Sequence, residues 1–239
     1  MTVDNGASVS ADYISVGTFY GATSTVTASN HGILNAAVIH LINGTLNIGR
    51  AASQEATGAG KMEADRIALY TDTLQQGEIN FNHTDADYVF VSSVTGYGNI
   101  NVLHGYTTLA GNNTYYGTTS VQGGTLAAGA EGAFSDKSGY AVHTGGALDL
   151  SGYNQTVYSL VNGGTVFFNQ HQSSVGTPLT MNEYIGDGGT LVFNSVLEGD
   201  NSLSDRLHVK GNAAGNSYVQ VNNLGGHPLS PSGFGQLYH

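Results

Sequence analysis

Cysteine is absent from the chain. No disulfide can staple this fold, and no metal centre can be built on thiolates. A cysteine-free chain is compatible with export through an oxidising compartment. Cations are nearly as scarce: three lysines and three arginines face 17 acidic residues, for a net charge of −11. A groove that tracks phosphates needs several clustered cations, so nucleic acid and anionic lipid are poor partners for this chain. Charged residues are only 10% of the sequence, against roughly 25% in an ordinary domain. Proline occurs 3 times, which excludes a Pro/Gly-rich disordered tract. Apolar runs are short: Ala36 to Ile42 is interrupted by His40, far below the ~18 residues of a membrane helix, so direct membrane insertion is not expected. The opening Met1-Thr2-Val3-Asp4-Asn5-Gly6 has neither the basic start nor the apolar core of a secretory signal. The sequence therefore reads as cytosolic, or as a piece from which a signal has been removed.

Glycine is what the chain has in excess, at 35 residues, roughly twice the usual ~7%. Many of these glycines open one short pattern: glycine, any residue, an aliphatic, any residue, an apolar residue. The pattern occurs at Gly32, Gly44, Gly77, Gly98, Gly124, Gly146, Gly164 and Gly189. From Gly77 onward the steps are 21, 26, 22, 18 and 25 residues (98−77, 124−98, 146−124, 164−146, 189−164). Each copy alternates apolar and other residues, which is a strand burying one face. A loose period in the twenties is the mark of a stacked repeat. No leucine-rich consensus and no helical segment accompanies it. An all-β parallel β-helix, with about 20–25 residues per coil, is the expected fold. The closing residues Ile48, Phe81, Val102, Leu150, Phe168 and Phe193 are expected in the core, stacked along one axis.

Along the chain, Tyr13-Ile14-Ser15-Val16 reads as a half-buried strand. Residues 50–75 read as one coil with a protruding loop. Residues 76–169 are the most periodic part, with strands at Tyr88–Val91, Tyr106–Leu109 and Thr118–Val121 and a loop at 130–138. Residues 196–224 break the period: Arg206–Lys210 and Tyr218–Asn222 alternate cleanly and read as a hairpin or as two coil strands. The expected division is 1–195 for the coils, 196–226 for the C-terminal strands, and 227–239 for a tail that frays.

Gly96-Tyr97-Gly98-Asn99, Gly111-Asn112-Asn113-Thr114-Tyr115-Tyr116-Gly117 and Gly123-Gly124-Thr125-Leu126 together resemble the passenger-associated repeat of Gram-negative type V autotransporters. Phe81-Asn82-His83-Thr84 resembles the segment that commonly precedes it. Gly199-Asp200-Asn201-Ser202, Ser204-Asp205-Arg206-Leu207, Gly211-Asn212-Ala213 and Val221-Asn222-Asn223-Leu224-Gly225-Gly226 resemble the pertactin-like end of the passenger. The likeness covers about residues 40–226. It implies a right-handed β-helix exported through an outer-membrane β-barrel translocator, which is absent here. It also implies C-terminal coils that act as an autochaperone, display at the cell surface or release from it, and a host cell-surface protein or glycan as partner. The function it implies is that of an adhesin-like virulence factor.

The residues give little chemistry beside this. There is no Gly-x-Ser-x-Gly elbow, no His-Glu-x-x-His and no Walker loop. A β-helix polysaccharide lyase or hydrolase, the enzymatic alternative, needs carboxylates clustered on adjacent coils. Asp149 stands at the middle position of its repeat, where Asn35, Asn47, Asn80 and Asn101 stand in others, and no neighbouring copy supplies a second carboxylate. A solvated polar face is the expectation there. His83 and His171 follow Phe-Asn and read as surface histidines, since zinc needs about four ligands. Asp187-Gly188-Gly189 occurs once, where calcium-binding nonapeptides come in tandem. No catalytic residue, no metal ligand and no cofactor is assigned. A proteolytically released signalling ligand for a host receptor is the third reading. On size of side chain, the C-terminal repeats with Phe168 and Phe193 are expected to hold more stability than N-terminal ones carrying Ala36 and Ala37.

Overall fold

The computed structural model describes residues 1–18, 23–70, 76–198 and 201–225. The chain is a parallel β-helix. Among the described residues, every pairing between strands of two or more residues is parallel. Three faces wind around a common core. The first face stacks Thr2–Val3, Ser24–Ala28, Gly44–Gly49, Gly77–Asn82, Gly98–His104, Gly117–Val121, Ser138–Val142 and Ser159–Asn162. The second stacks Tyr88–Phe90, Tyr106–Leu109, Gly124–Ala128, Gly146–Asp149 and Thr165–Phe167. Glu183–Ser195 runs unbroken through both, and Ala213–Asn223 pairs with it along its length. The third face comes in two blocks. One is Ser8–Val16, Ile33–Ile42, Lys61–Tyr70 and Ser93–Gly96; the other is Gln155–Thr156, Pro178–Met181 and Arg206–Val209. Arg206–Val209 and Ala213–Asn223 are thus coil strands, not a hairpin.

Equivalent residues one coil apart differ in number by as few as 18 (Ala147 and Thr165) and as many as 33 (Thr45 and Glu78). The spread exceeds the expected 20–25. The longest coil carries the loop that follows Gly49, and Asn82 fastens that loop by donating to the carbonyls of Ala51 and Gln54 at 2.9 and 2.8 Å.

Alternation decides which side chains enter the core. On the first face Val26, Leu46, Ile79, Ile100, Thr119, Tyr140 and Leu160 are register partners, and all of them are buried. Ala28, Ile48, Phe81, Val102, Val121 and Val142 form a second inner row. On the second face Leu126, Leu148, Val166 and Leu191 do the same. Of the closing residues of the repeat, Ile48, Phe81, Val102, Leu150 and Phe168 are fully buried and Phe193 is partly buried against Phe168. They do not share one axis, however. The Gly77 and Gly98 copies lie on the first face, whereas the Gly124, Gly146 and Gly164 copies lie on the second. The 26-residue step from Gly98 to Gly124 is a change of face: the register partner of the Gly98 strand is Gly117–Val121.

The N-terminal coils are not poorly filled. Leu34, Ile39, Leu41, Leu46 and Ile48 show no exposure, whereas Tyr218, Val219 and Val221 on the last strand are largely exposed. The expectation drawn from Ala36 is corrected by its register. Ala36 sits between Ala11 and Ala64 in a small-residue row, and the same strand buries Leu34 and Ile39 completely. The expected fraying tail, 227–239, lies outside the described residues.

Candidate functional site

The corner where the third face passes into the first carries the clearest surface feature. Gly96 turns this corner with φ +90, and a Cβ there would meet the Leu69 carbonyl oxygen at 2.1 Å. Only glycine fits such a left-handed, close-packed position. Between Gly96 and Gly98 the side chain of Tyr97 is thrown outward. One coil further on, Tyr116 precedes Gly117 in the same way. The backbones are paired, Tyr116 N donating to Gly96 O at 2.8 Å and Gly98 N to Tyr116 O at 2.9 Å. The two rings stack at 4.8 Å between centroids with planes 15° apart. That spacing is the rise between adjacent strands. Tyr97 and Tyr116 are 56% and 41% exposed. Lys137 comes next along the axis, its Nζ 5.1 Å from the Tyr116 ring centroid, a cation over an aromatic face.

The corner is held from inside. Tyr115, adjacent to Tyr116, points the other way and is fully buried. Its hydroxyl lies 2.5 Å from Thr119 Oγ1 and 3.3 Å from the Tyr140 hydroxyl. Thr119 meets Ser138 Oγ at 3.0 Å, and the Ser135 amide donates to the Tyr140 hydroxyl at 3.1 Å. Burial pushes both phenols above their ordinary range. A satisfied polar network of this kind fixes one arrangement of the strands around it. It anchors Tyr115, and with it the backbone that carries Tyr116.

The residues weighed for chemistry are placed differently. Asp149 is fully buried, not on a solvated face. It accepts from the Tyr106 hydroxyl at 3.1 Å, the Ser151 amide at 2.8 Å and the Gln170 amide at 3.2 Å. Burial, and next the Asp149 charge, push the Tyr106 phenol up to about 12. Asp149 is therefore committed as an acceptor that ties one coil to the next. Asn47, Asn80 and Asn101 form an amide ladder on the first face. Asn80 donates to Asn47 Oδ1 at 3.0 Å and Asn101 to Asn80 Oδ1 at 2.9 Å, and Asn47 and Asn80 are buried. Asn35 lies on the third face and donates to Glu63 at 3.0 Å.

His83 is also buried rather than on the surface. Its Nε2 is 2.8 Å from Thr107 Oγ1, and the rings of Phe81 and Tyr88 pack around it. His171 is exposed, as is Asp187. Among the described residues no three His, Asp or Glu side chains converge on a metal-sized site.

Sequence reasoning missed the role of Asp205. Its Oδ1 accepts from the Gly176 and Thr177 amides, both at 2.9 Å, and its Oδ2 from the Asn194 amide at 2.7 Å. One buried carboxylate thus satisfies three backbone donors from two segments of the preceding coil. The Ser-Asp-Arg-Leu motif is visible in the sequence as a family mark, but the partners of its aspartate lie 11 to 29 residues upstream.

Comparison with known proteins bears on this end of the molecule. Residues 155–230 match the family described as Autochaperone Domain Type 1. They hold the Asp205 clamp and the stacked Phe168–Phe193 pair. The chain is 47% identical over 62 residues to the autotransporter adhesin AIDA-I of Escherichia coli, covering 24% of this chain and 5% of that one. The C-terminal third of the chain is thus similar to the autochaperone end of autotransporter passengers. The chain is also 36% identical over 69 residues to the adhesin BmaC autotransporter of Brucella suis, covering 28% and 2%. A longer match, 31% over 153 residues, is to the uncharacterized protein YuaQ of Escherichia coli K12, covering 63% and 11%. The chain spans about a tenth or less of the length of these relatives.

Proposed function

We propose that this chain is part of the C-terminal stalk of a passenger displayed on, or released from, the surface of a Gram-negative bacterium. In this reading it engages host-cell surfaces without catalysis, and its last coils serve as the folding nucleus during export through the passenger's own outer-membrane β-barrel. The observation that carries the reading is the stacked, exposed Tyr97–Tyr116 pair. Exposed aromatic rings stacked on a backbone that an internal network anchors are contact surface of the kind that dominates recognition, because little side-chain entropy is lost on binding. The adhesin relatives support the same class. The buried, fully employed Asp149 weakens the enzymatic alternative.

The test is binding of the purified chain to cultured epithelial cells, read by flow cytometry. The reading expects saturable binding that falls about tenfold for the double variant Tyr97→Ala, Tyr116→Ala, because tenfold corresponds to about 1.4 kcal/mol of binding free energy. Binding no greater than that of an unrelated β-helix would overturn it.

A further inference from the structure

The third face is interrupted. Its first block ends at Ser93–Gly96 and its second begins at Gln155–Thr156, and in between the chain passes twice without forming a third-face strand. The interruption leaves a groove of about 410 Å³. Its floor includes the buried Phe134 and Gln155, and Gln155 is spent on the Phe134 amide and the Ala130 carbonyl at 3.0 and 2.8 Å. Its walls present Asn112, Thr114, Asp136, Asn154, Thr156 and Thr180. These are amides, hydroxyls and one carboxylate, with no cation among the groove's lining.

The groove adjoins the tyrosine corner. Thr114 and Tyr116 are two residues apart with buried Tyr115 between them, and Thr156 and Tyr158 are two apart with buried Val157 between them. Alternation therefore turns each pair to the same outer side. Asp136 is followed directly by Lys137. The Tyr158 amide donates to the Ser138 carbonyl at 3.0 Å, so the exposed Tyr158 stands one coil on, in register with Ser138 beside Lys137. Tyr97, Tyr116, Lys137 and Tyr158 then span three rungs of the solenoid, about 14 Å at the usual strand spacing.

We infer that the groove and the corner together form one binding site for a neutral oligosaccharide. The ligand class follows from the lining. Sugar hydroxyls need many donors and acceptors of the amide, hydroxyl and carboxylate kind, and the apolar C–H faces of a sugar ring pack on exposed aromatic rings. The combined site carries one carboxylate, Asp136, and one cation, Lys137, and so has no net charge with which to select an anionic glycan. An exposed tyrosine or lysine stands on each of these successive coils, which suits a chain of sugars better than a single compact ligand. This inference rests on the surface-binding reading above and gives that surface a ligand.

The experiment uses the full 239-residue chain on an array of neutral tri- and tetrasaccharides built from galactose, glucose and N-acetylglucosamine, alongside sialylated and sulfated glycans. Hits are then titrated calorimetrically. Neutral glycans are expected to bind, with affinity reduced about tenfold by Tyr116→Ala and by Asn154→Ala. Tyr218→Ala, an exposed tyrosine on the last strand, is expected to change nothing. All three side chains are exposed, and circular dichroism checks that each variant keeps its fold. No hits, hits only among sialylated or sulfated glycans, or hits indifferent to Tyr116→Ala and Asn154→Ala would overturn the inference. If cell binding persists in those cases, the surface-binding reading stands and this one alone falls. If cell binding is absent too, both fall.

Discussion

His83 is held neutral in the fold. Burial lowers its pKa below the ordinary 6.5, with the nearby Asp85 charge offsetting part of that effect and His104 adding to it. Protonation would place a second N–H at Nδ1, which has no hydrogen-bond partner. The unfolded chain charges this histidine near pH 6.5, and the folded chain only at lower pH. Between those values the unfolded state binds more protons, so stability rises with pH across the window. The contribution of His83 is complete above about 6.5 and is lost as pH falls through its lowered folded-state value. The urea midpoint is therefore expected to drop between about pH 7.5 and 5, and the drop to shrink in His83→Gln. An undiminished drop in the variant would assign the acid sensitivity to carboxylates elsewhere. The sequence suggests an exposed histidine because it offers too few further ligands for a zinc site. What buries it is Thr107 on the next coil and the Phe81 and Tyr88 rings, contacts that only the winding brings together. Asp149 is misread from sequence for the same reason, since Tyr106 and Gln170 lie 43 and 21 residues away.

Strands are legible in the sequence, but the face each one occupies is not. The glycine-led pattern marks a strand with two inward positions, and Leu46/Ile48, Ile79/Phe81 and Leu148/Leu150 all obey it. The pattern says nothing about whether a copy stacks on the first face or the second. The strand Gly117–Val121, with Gly-Thr-Thr-Ser-Val, escapes it because Thr119 enters the core as a satisfied polar group. Between elements, Asp205 ties the segment before Pro178–Met181 to the end of Glu183–Ser195. Asp205→Ala would strand three amides, each costing about 1–3 kcal/mol when left unpaired and buried. A loss of roughly 3 kcal/mol or more is expected in urea unfolding, with a smaller loss for Asp205→Asn, which keeps one acceptor oxygen. A loss below about 1 kcal/mol for Asp205→Ala would mean that these amides find other partners.

Over the whole molecule, a solenoid coil touches only its neighbours, so folding can begin at one end and propagate. Large buried side chains do not single out an end, because Leu34, Ile39 and Leu41 are as well buried as Phe168. Two features distinguish the C-terminal region. Glu183–Ser195 is one uninterrupted strand across two faces, paired with Ala213–Asn223 from Tyr184 to Ser195. The Asp205 clamp closes the coil between them. This is also the region that matches the autochaperone family. The most direct measurement is to express residues 1–154 and 155–239 separately and follow each by circular dichroism and limited proteolysis. Folding from the C-terminal end predicts that 155–239 forms protease-resistant β-structure alone, and that 1–154 does so only when joined to it. Independent folding of 1–154, with 155–239 remaining digestible, would contradict it.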